Sequence, residues 1–218
     1  ISILVIALLA LTYMIHYSGE KSLWYDDMYQ IKFSGGNQSL KEVLNNILTI
    51  DMQPPIFGVL AWLWLKIVPY GTMWVKLLSE IAVTLGIVIL GLAGKLAYGK
   101  KVGVLCSLFA TVYSTIYLDM AYSFRPYGFV FLFASLVLYT YILKISKPTY
   151  KTYILYGISV LFLAATYYIG AIICCILFIF DVIIIIKRKI KIYTLSTYFI
   201  PALFILPWVV ASFNRVSN

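Results

Sequence analysis

The stretch "WVKLLSEIAVTLGIVILGLAGKLAYGKK", residues 74–101, decides what solvates this chain. Between Trp74 and Gly94 its only charged residues are Lys76 and Glu80, both near its start, and it closes on Lys95, Lys100 and Lys101. About 20 apolar residues are what a helix needs to cross a hydrocarbon layer of ~30 Å. The lysines behind the run mark its cytoplasmic end, because short loops rich in Lys and Arg are retained on that side.

Working outward from this segment, the pattern returns. Apolar runs at roughly 1–17, 102–121, 126–144, 153–168, 170–186 and 193–212 join 74–97 as expected spans. The basic loops are "GKLAYGKK" (94–101), "LKISKPTYK" (143–151) and "KRKIK" (187–191), with two spans between each and the next. The expectation is an all-α polytopic membrane protein, one module over 1–218 with about seven transmembrane helices. If the first span runs outward, residues 18–73 form one large extracytoplasmic loop. Within it, "PIFGVLAWLWLKIV" (55–68) is short, rich in Trp and ended by Lys66. It reads as a helix lying in the interface; the alternative is a further span, with the parity reset by one misread helix. Ser39 and Glu42 form a capping box ahead of Leu40, Val43, Leu44, Ile47 and Leu48 at helical spacing, which predicts an amphipathic surface helix. Gly35-Gly36 separates it from a shorter helix expected to start near Asp26.

Composition supports this reading. The 218 residues are 63% hydrophobic and 11% charged, against about 45–50% and about 25% in soluble domains. Seventeen Lys and Arg oppose eight Asp and Glu, a net charge of +9. The basic residues lie between apolar runs, which argues for cytoplasmic loops rather than nucleic acid. Cys106, Cys174 and Cys175 sit inside apolar runs and suit small buried hydrophobes better than a disulfide or metal site. The opening run lacks a small-residue cleavage site after it and reads as a span rather than a signal peptide. Because the chain begins with Ile, it is expected to be a piece of a longer protein.

Threading the chain this way collects polar residues on the outer side: Asp26, Asp27, Asp51, Lys76, Glu80, Asp119, Tyr122, Ser123, Arg125, Tyr127, Tyr167 and Tyr168. Asp26 and Asp27, flanked by Trp24 and Tyr25, suit a general base for an acceptor hydroxyl or amine. Against that stands the common use of Asp as a helix N-cap and first-turn acid. Asp51 precedes Pro54-Pro55, a rigid corner that fixes its presentation. Lys76 and Glu80, four apart, read first as a surface ion pair; Lys76 as a contact for an anionic head group is the alternative. Arg125, ahead of Pro126, offers a bidentate fork to phosphate, or else snorkels at a membrane boundary. Asp181 lies within a span and is expected to pair toward Lys187 and Arg188. His16 reads as an interface residue. "NQS" (37–39) matches a glycosylation acceptor pattern, but Ser39 is better explained as a cap.

Together these pieces resemble the C-type-fold membrane glycosyltransferases, in particular the dolichyl-phosphate-mannose–protein mannosyltransferase-like group and its bacterial relatives. The resemblance runs in order over roughly residues 20–210. It rests on Trp24-Tyr25-Asp26-Asp27, Asp51-Met52-Gln53-Pro54-Pro55 with Trp62 and Trp64, Lys76-Leu77-Leu78-Ser79, Gly99-Lys100-Lys101, and Ser123-Phe124-Arg125-Pro126-Tyr127. Asp27 stands where the family has Glu, Gln53 and Tyr167 where it has His, and Ser123 where it often has Glu, with Asp119 one turn away. The loss of that Glu and His weakens a metal site; a divalent ion is compatible with the pattern but not required.

The resemblance implies inverting transfer of a sugar from a polyprenyl-phosphate donor to a protein, lipid or glycan acceptor at the extracytoplasmic face of the cell membrane. It assigns Asp26 as base, with Asp27 or Asp51 orienting it, and Arg125 and Lys76 to the donor phosphate. Tyr25, Gln53, Asp119 and Tyr127 support these groups. It also implies that the C-terminal part of the module, which helps hold the lipid donor, lies outside this chain. A transporter or lipid flippase and a non-catalytic diverged member are the rival readings. The transporter would need polar or broken helices near the bilayer centre.

Overall fold

The computed structural model describes residues 2–35, 37–51, 53–112, 121–187 and 192–216. Helices account for the regular structure, and there is no strand among the described residues. In chain order they are α1 (Ser2–Ser18), α2 (Tyr25–Ser34), α3 (Leu40–Asn46) running into one π-helical turn (Ile47–Asp51), and α4 (Pro55–Leu65). Then come α5 (Thr72–Tyr98), α6 (Lys100–Val112), α7 (Tyr127–Ser146), α8 (Tyr150–Ala164) and α9 (Tyr168–Ile186). A 3₁₀ segment (Ile192–Tyr198) leads into α10 (Phe199–Val216).

Among the described residues, four stretches are long and apolar enough to cross a membrane: Thr72–Tyr98, Tyr127–Ser146, Tyr168–Ile186 and Thr194–Ala211. The sequence predicts about seven. Of the other three, α1 and α8 are apolar but have 17 and 15 residues, which reach about 25 and 22 Å at 1.5 Å per residue. The third expected span, 102–121, overlaps the 13 residues of α6, and the remainder falls largely outside the described residues. The membrane character also shows on the surface. α9 leaves Ile172, Ile176, Ile179, Phe180 and Ile183 exposed, an apolar face that water would not tolerate but hydrocarbon does.

α5 is the central post. On it α1 lays Ala7, Ala10, Met14 and Ser18, all buried and spaced three or four apart. α6 packs antiparallel to α5 through small residues. A Cβ on Gly94 would lie 2.7 Å from the Cys106 sulfur, and one on Gly103 would lie 2.6 Å from the Gly91 carbonyl oxygen. Such small residues let backbones approach without side-chain interference. The turn between the two helices is Gly99, at φ 91°, the left-handed region that glycine alone enters at no steric cost. α7 runs parallel to α5, with Gly128 beside Ser79 and Gly86 beside Phe131 and Leu132.

The helices of the 18–73 segment close one end of this bundle. The capping box forms as the sequence predicts: the Ser39 amide donates to Glu42 Oε2 at 2.7 Å, and the Glu42 amide donates to the Ser39 hydroxyl at 3.3 Å. Behind it Val43 and Ile47 are buried, while Leu40 and Leu48 stay exposed. α4 has 11 residues, about 16 Å, too short to cross. It does more than rest on a surface. Phe57, Ala61 and Leu65 are core residues, and Phe57 packs edge-on to Phe124. The Ile56 amide donates to the Ala165 carbonyl at 3.0 Å, which joins the start of α4 to the turn after α8. The opposite end gathers the exposed lysines Lys95, Lys100, Lys101, Lys147, Lys151 and Lys187. The bundle therefore has a basic end and a mixed polar end.

Candidate functional site

At the polar end, Trp24 precedes α2 in an extended conformation and its free amide donates to Asp27 Oδ2 at 3.0 Å. That bond starts the helix, since an acid three residues in satisfies an otherwise orphaned amide. The other oxygen, Oδ1, accepts from the Phe124 amide at 2.8 Å, across 97 residues of chain. Asp27 is fully buried. Burial pushes its carboxyl above the ordinary aspartate value, against the two amides, Lys76 and Arg125, which favour the charge. It pins α2 to the segment that carries Arg125.

Asp26, its neighbour, points the other way. Its side chain is 68% exposed and Oδ2 lies 3.8 Å from the Arg125 guanidinium, itself 16% exposed. The Arg125 Nε is buried and has no hydrogen-bond partner among the described residues. Both residues line one cavity of ≈ 880 Å³, together with Glu20, Lys21, Ser22, Trp24, Asp27, Tyr122, Ser123 and Tyr127. Asp51, at the end of the π-helical turn, lies within electrostatic reach of Arg125. Burial pushes its carboxyl up and the Arg125 charge draws it down. Tyr127 opens α7 and meets Tyr167 edge-on, ring centroids 5.6 Å apart. Arg125 and Asp51 both act electrostatically on Tyr167.

The structure thus brings together Asp26, Asp27, Arg125 and Tyr127, with Asp51 adjoining. Tyr25 is 82% exposed and stacks on Tyr29 at the outer face of α2. Gln53 sits half-buried in the corner before Pro54. Asp119 lies outside the described residues.

Lys76 and Glu80 differ from the expected surface pair. Both are fully buried. The Lys76 ammonium donates to the Lys21 carbonyl at 2.6 Å and the Ser22 carbonyl at 3.1 Å. Its reach is used up under the cavity wall, because α1 and the chain after it cover this part of α5. The head-group role drawn from sequence has no exposed ammonium to perform it.

Asp181 is also rearranged. It is fully buried, and its partner is Lys144 at 3.0 Å rather than Lys187, which is exposed. Arg188 lies outside the described residues. The Tyr141 hydroxyl donates to Asp181 Oδ1 at 3.0 Å and the Tyr198 hydroxyl to Oδ2 at 2.9 Å. The Lys144 ammonium lies over the Tyr141 and Tyr156 rings at 4.4 and 3.9 Å. The sequence reading missed Lys144, Tyr141, Tyr156 and Tyr198. Its only signal was the pair Tyr141 and Lys144, three apart on a helix face.

Among the described residues no three His, Cys, Asp or Glu side chains come together as a metal-binding group. Comparison with protein-family models, with curated proteins and with solved structures finds no match to this chain.

Proposed function

We propose that the polar cavity is a glycosyl-transfer site of the C-type membrane class, acting on a polyprenyl-phosphate-linked sugar at the extracytoplasmic face. The observation that carries this reading is the exposed Asp26 carboxylate beside Arg125, 3.8 Å apart and lining one cavity. In the proposed reaction, Asp26 takes the proton from an acceptor hydroxyl. The acceptor oxygen attacks the anomeric carbon, and the bond from that carbon to the phosphate oxygen breaks with inversion. The electron pair stays on the departing phosphate, which Arg125 stabilises with guanidinium donors that the protein leaves partly unused. Asp27 acts by position: it fixes α2 to Phe124 so that Asp26 and Arg125 face each other. Lys76 supports the cavity wall. Lys21, which also lines the cavity, supplies a second cation near the phosphate. Protein, lipid and glycan acceptors all fit this chemistry.

The test is sugar release from a radiolabelled polyprenyl-phosphate sugar by the full chain in liposomes, with and without added acceptor peptides and glycans. Transfer that D26N abolishes supports the reading. Transfer unchanged in D26N removes Asp26 from the mechanism, and an absence of transfer or hydrolysis from every donor overturns the class.

A second reading, a transporter, is favoured by one observation: Lys76 and Glu80 are fully buried in the membrane-length helix α5. Movement of labelled lipid across the liposome bilayer without sugar transfer would select it.

A further inference from the structure

Beneath the cavity, one turn deeper along α5, Glu80 has no part in the proposed chemistry. Its residue is fully buried, and neither carboxylate oxygen has a hydrogen-bond partner among the described residues. The Ser79 hydroxyl beside it in sequence is likewise buried and has no partner among the described residues. Among the described residues, Ser18 and Lys76 act on Glu80. From α1, the Ser18 hydroxyl favours the Glu80 charge, although its proton is directed to the Ile15 carbonyl at 3.1 Å. From its own helix, Lys76 contributes charge but directs its ammonium to the Lys21 and Ser22 carbonyls, with Asp27 as its other acidic neighbour and Lys21 as a nearby like charge. An ionised carboxylate buried without donors is among the costliest arrangements in a protein, and a neutral acid relieves most of that cost.

We infer that Glu80 is a proton-binding site inside the bundle, its carboxyl carrying a proton at neutral pH while Asp27 balances the Lys76 charge. The inference is independent of the glycosyl-transfer reading and survives its failure. The bound proton makes folding pH-dependent. A group neutral in the fold and ionised when unfolded stabilises at low pH, and that stabilisation is lost as pH rises.

Infrared difference spectroscopy of the purified full chain, parent minus E80Q at pH 7, decides the matter. A neutral-carboxyl carbonyl band present in the parent and missing from E80Q is the expected result. A difference confined to the carboxylate bands overturns the inference. Thermal unfolding in detergent gives a second reading. E80Q, a neutral isostere, is expected to hold the midpoint within about 2–4 °C of the parent at pH 7 and to gain on it as pH rises. If Glu80 is instead ionised against Lys76, E80Q strands a buried ammonium. The midpoint then falls by roughly 6–20 °C and recovers in the E80Q/K76M double variant.

Discussion

The two ends of the bundle each hold buried charge, and they treat it in opposite ways. At the basic end, Asp181 accepts from Lys144, Tyr141 and Tyr198, and Tyr198 shares a 2.6 Å hydrogen bond with Tyr156. Both charges of that buried cluster are answered within the protein. At the polar end, Arg125 keeps a buried Nε without a partner among the described residues, Asp26 lies 3.8 Å from the guanidinium with most of its side chain exposed, and both line an open cavity. A satisfied polar network rigidifies and specifies packing. One left incomplete costs stability, which is the condition under which a ligand can complete it. By that contrast the Asp181 cluster is a lock that holds α7, α8, α9 and the 3₁₀ segment together, and the Asp26–Arg125 cavity is the place to look for chemistry.

Substitutions at the two ends should have different consequences. The largest effect belongs to Asp26→Asn. Sugar transfer is expected to fall about 10²–10⁴-fold if Asp26 is the base, while the thermal midpoint barely moves, since the side chain is largely exposed. A stability loss without an activity loss would reverse the roles of the two ends. Arg125→Ala should cost about 10²–10³-fold in turnover through the donor phosphate, read as weakened competition by free polyprenyl phosphate.

Asp181→Asn should do the opposite of Asp26→Asn. Removing one member of a buried pair costs about 3–5 kcal/mol, measured by urea or thermal unfolding, with turnover per folded molecule preserved. Replacing both Lys144 and Asp181 by apolar residues of similar size should recover most of that loss. Asp27→Asn tests the joint between the regions. The amide oxygen keeps one of the two backbone bonds, so about 1–3 kcal/mol is expected. Turnover should fall with the docking of α2, and the midpoint should fall with it.

The smallest effect is a pH dependence at Asp51. Its carboxyl is raised in the fold by burial. The stability it lends is complete below the unfolded aspartate value, about 3.9, and is lost as pH rises through the folded value. Asp51→Asn should therefore remove a slight decline of the midpoint between acid and neutral pH; an identical pH profile in the variant would show that Asp51 is not held above its ordinary value.

Local sequence determined much of this protein. The capping box at Ser39, the corner at Pro54-Pro55, the start of α2 beside Asp26 and the basic turns each depend on residues within a few positions of one another, so their chemistry can be read along the chain. The excess of apolar residues likewise determined that hydrocarbon solvates the bundle, because no core of this size could hide so many. Tertiary structure alone decided what the charged residues do. Asp27 reaches Phe124 across 97 positions and Asp181 reaches Lys144 across 37, and no local rule links residues so far apart. Lys76 and Glu80 passed for a surface pair because helix spacing reports which side chains share a face, not whether α1 will cover that face. Burial, which sets what a charge costs, arises only once the helices have packed.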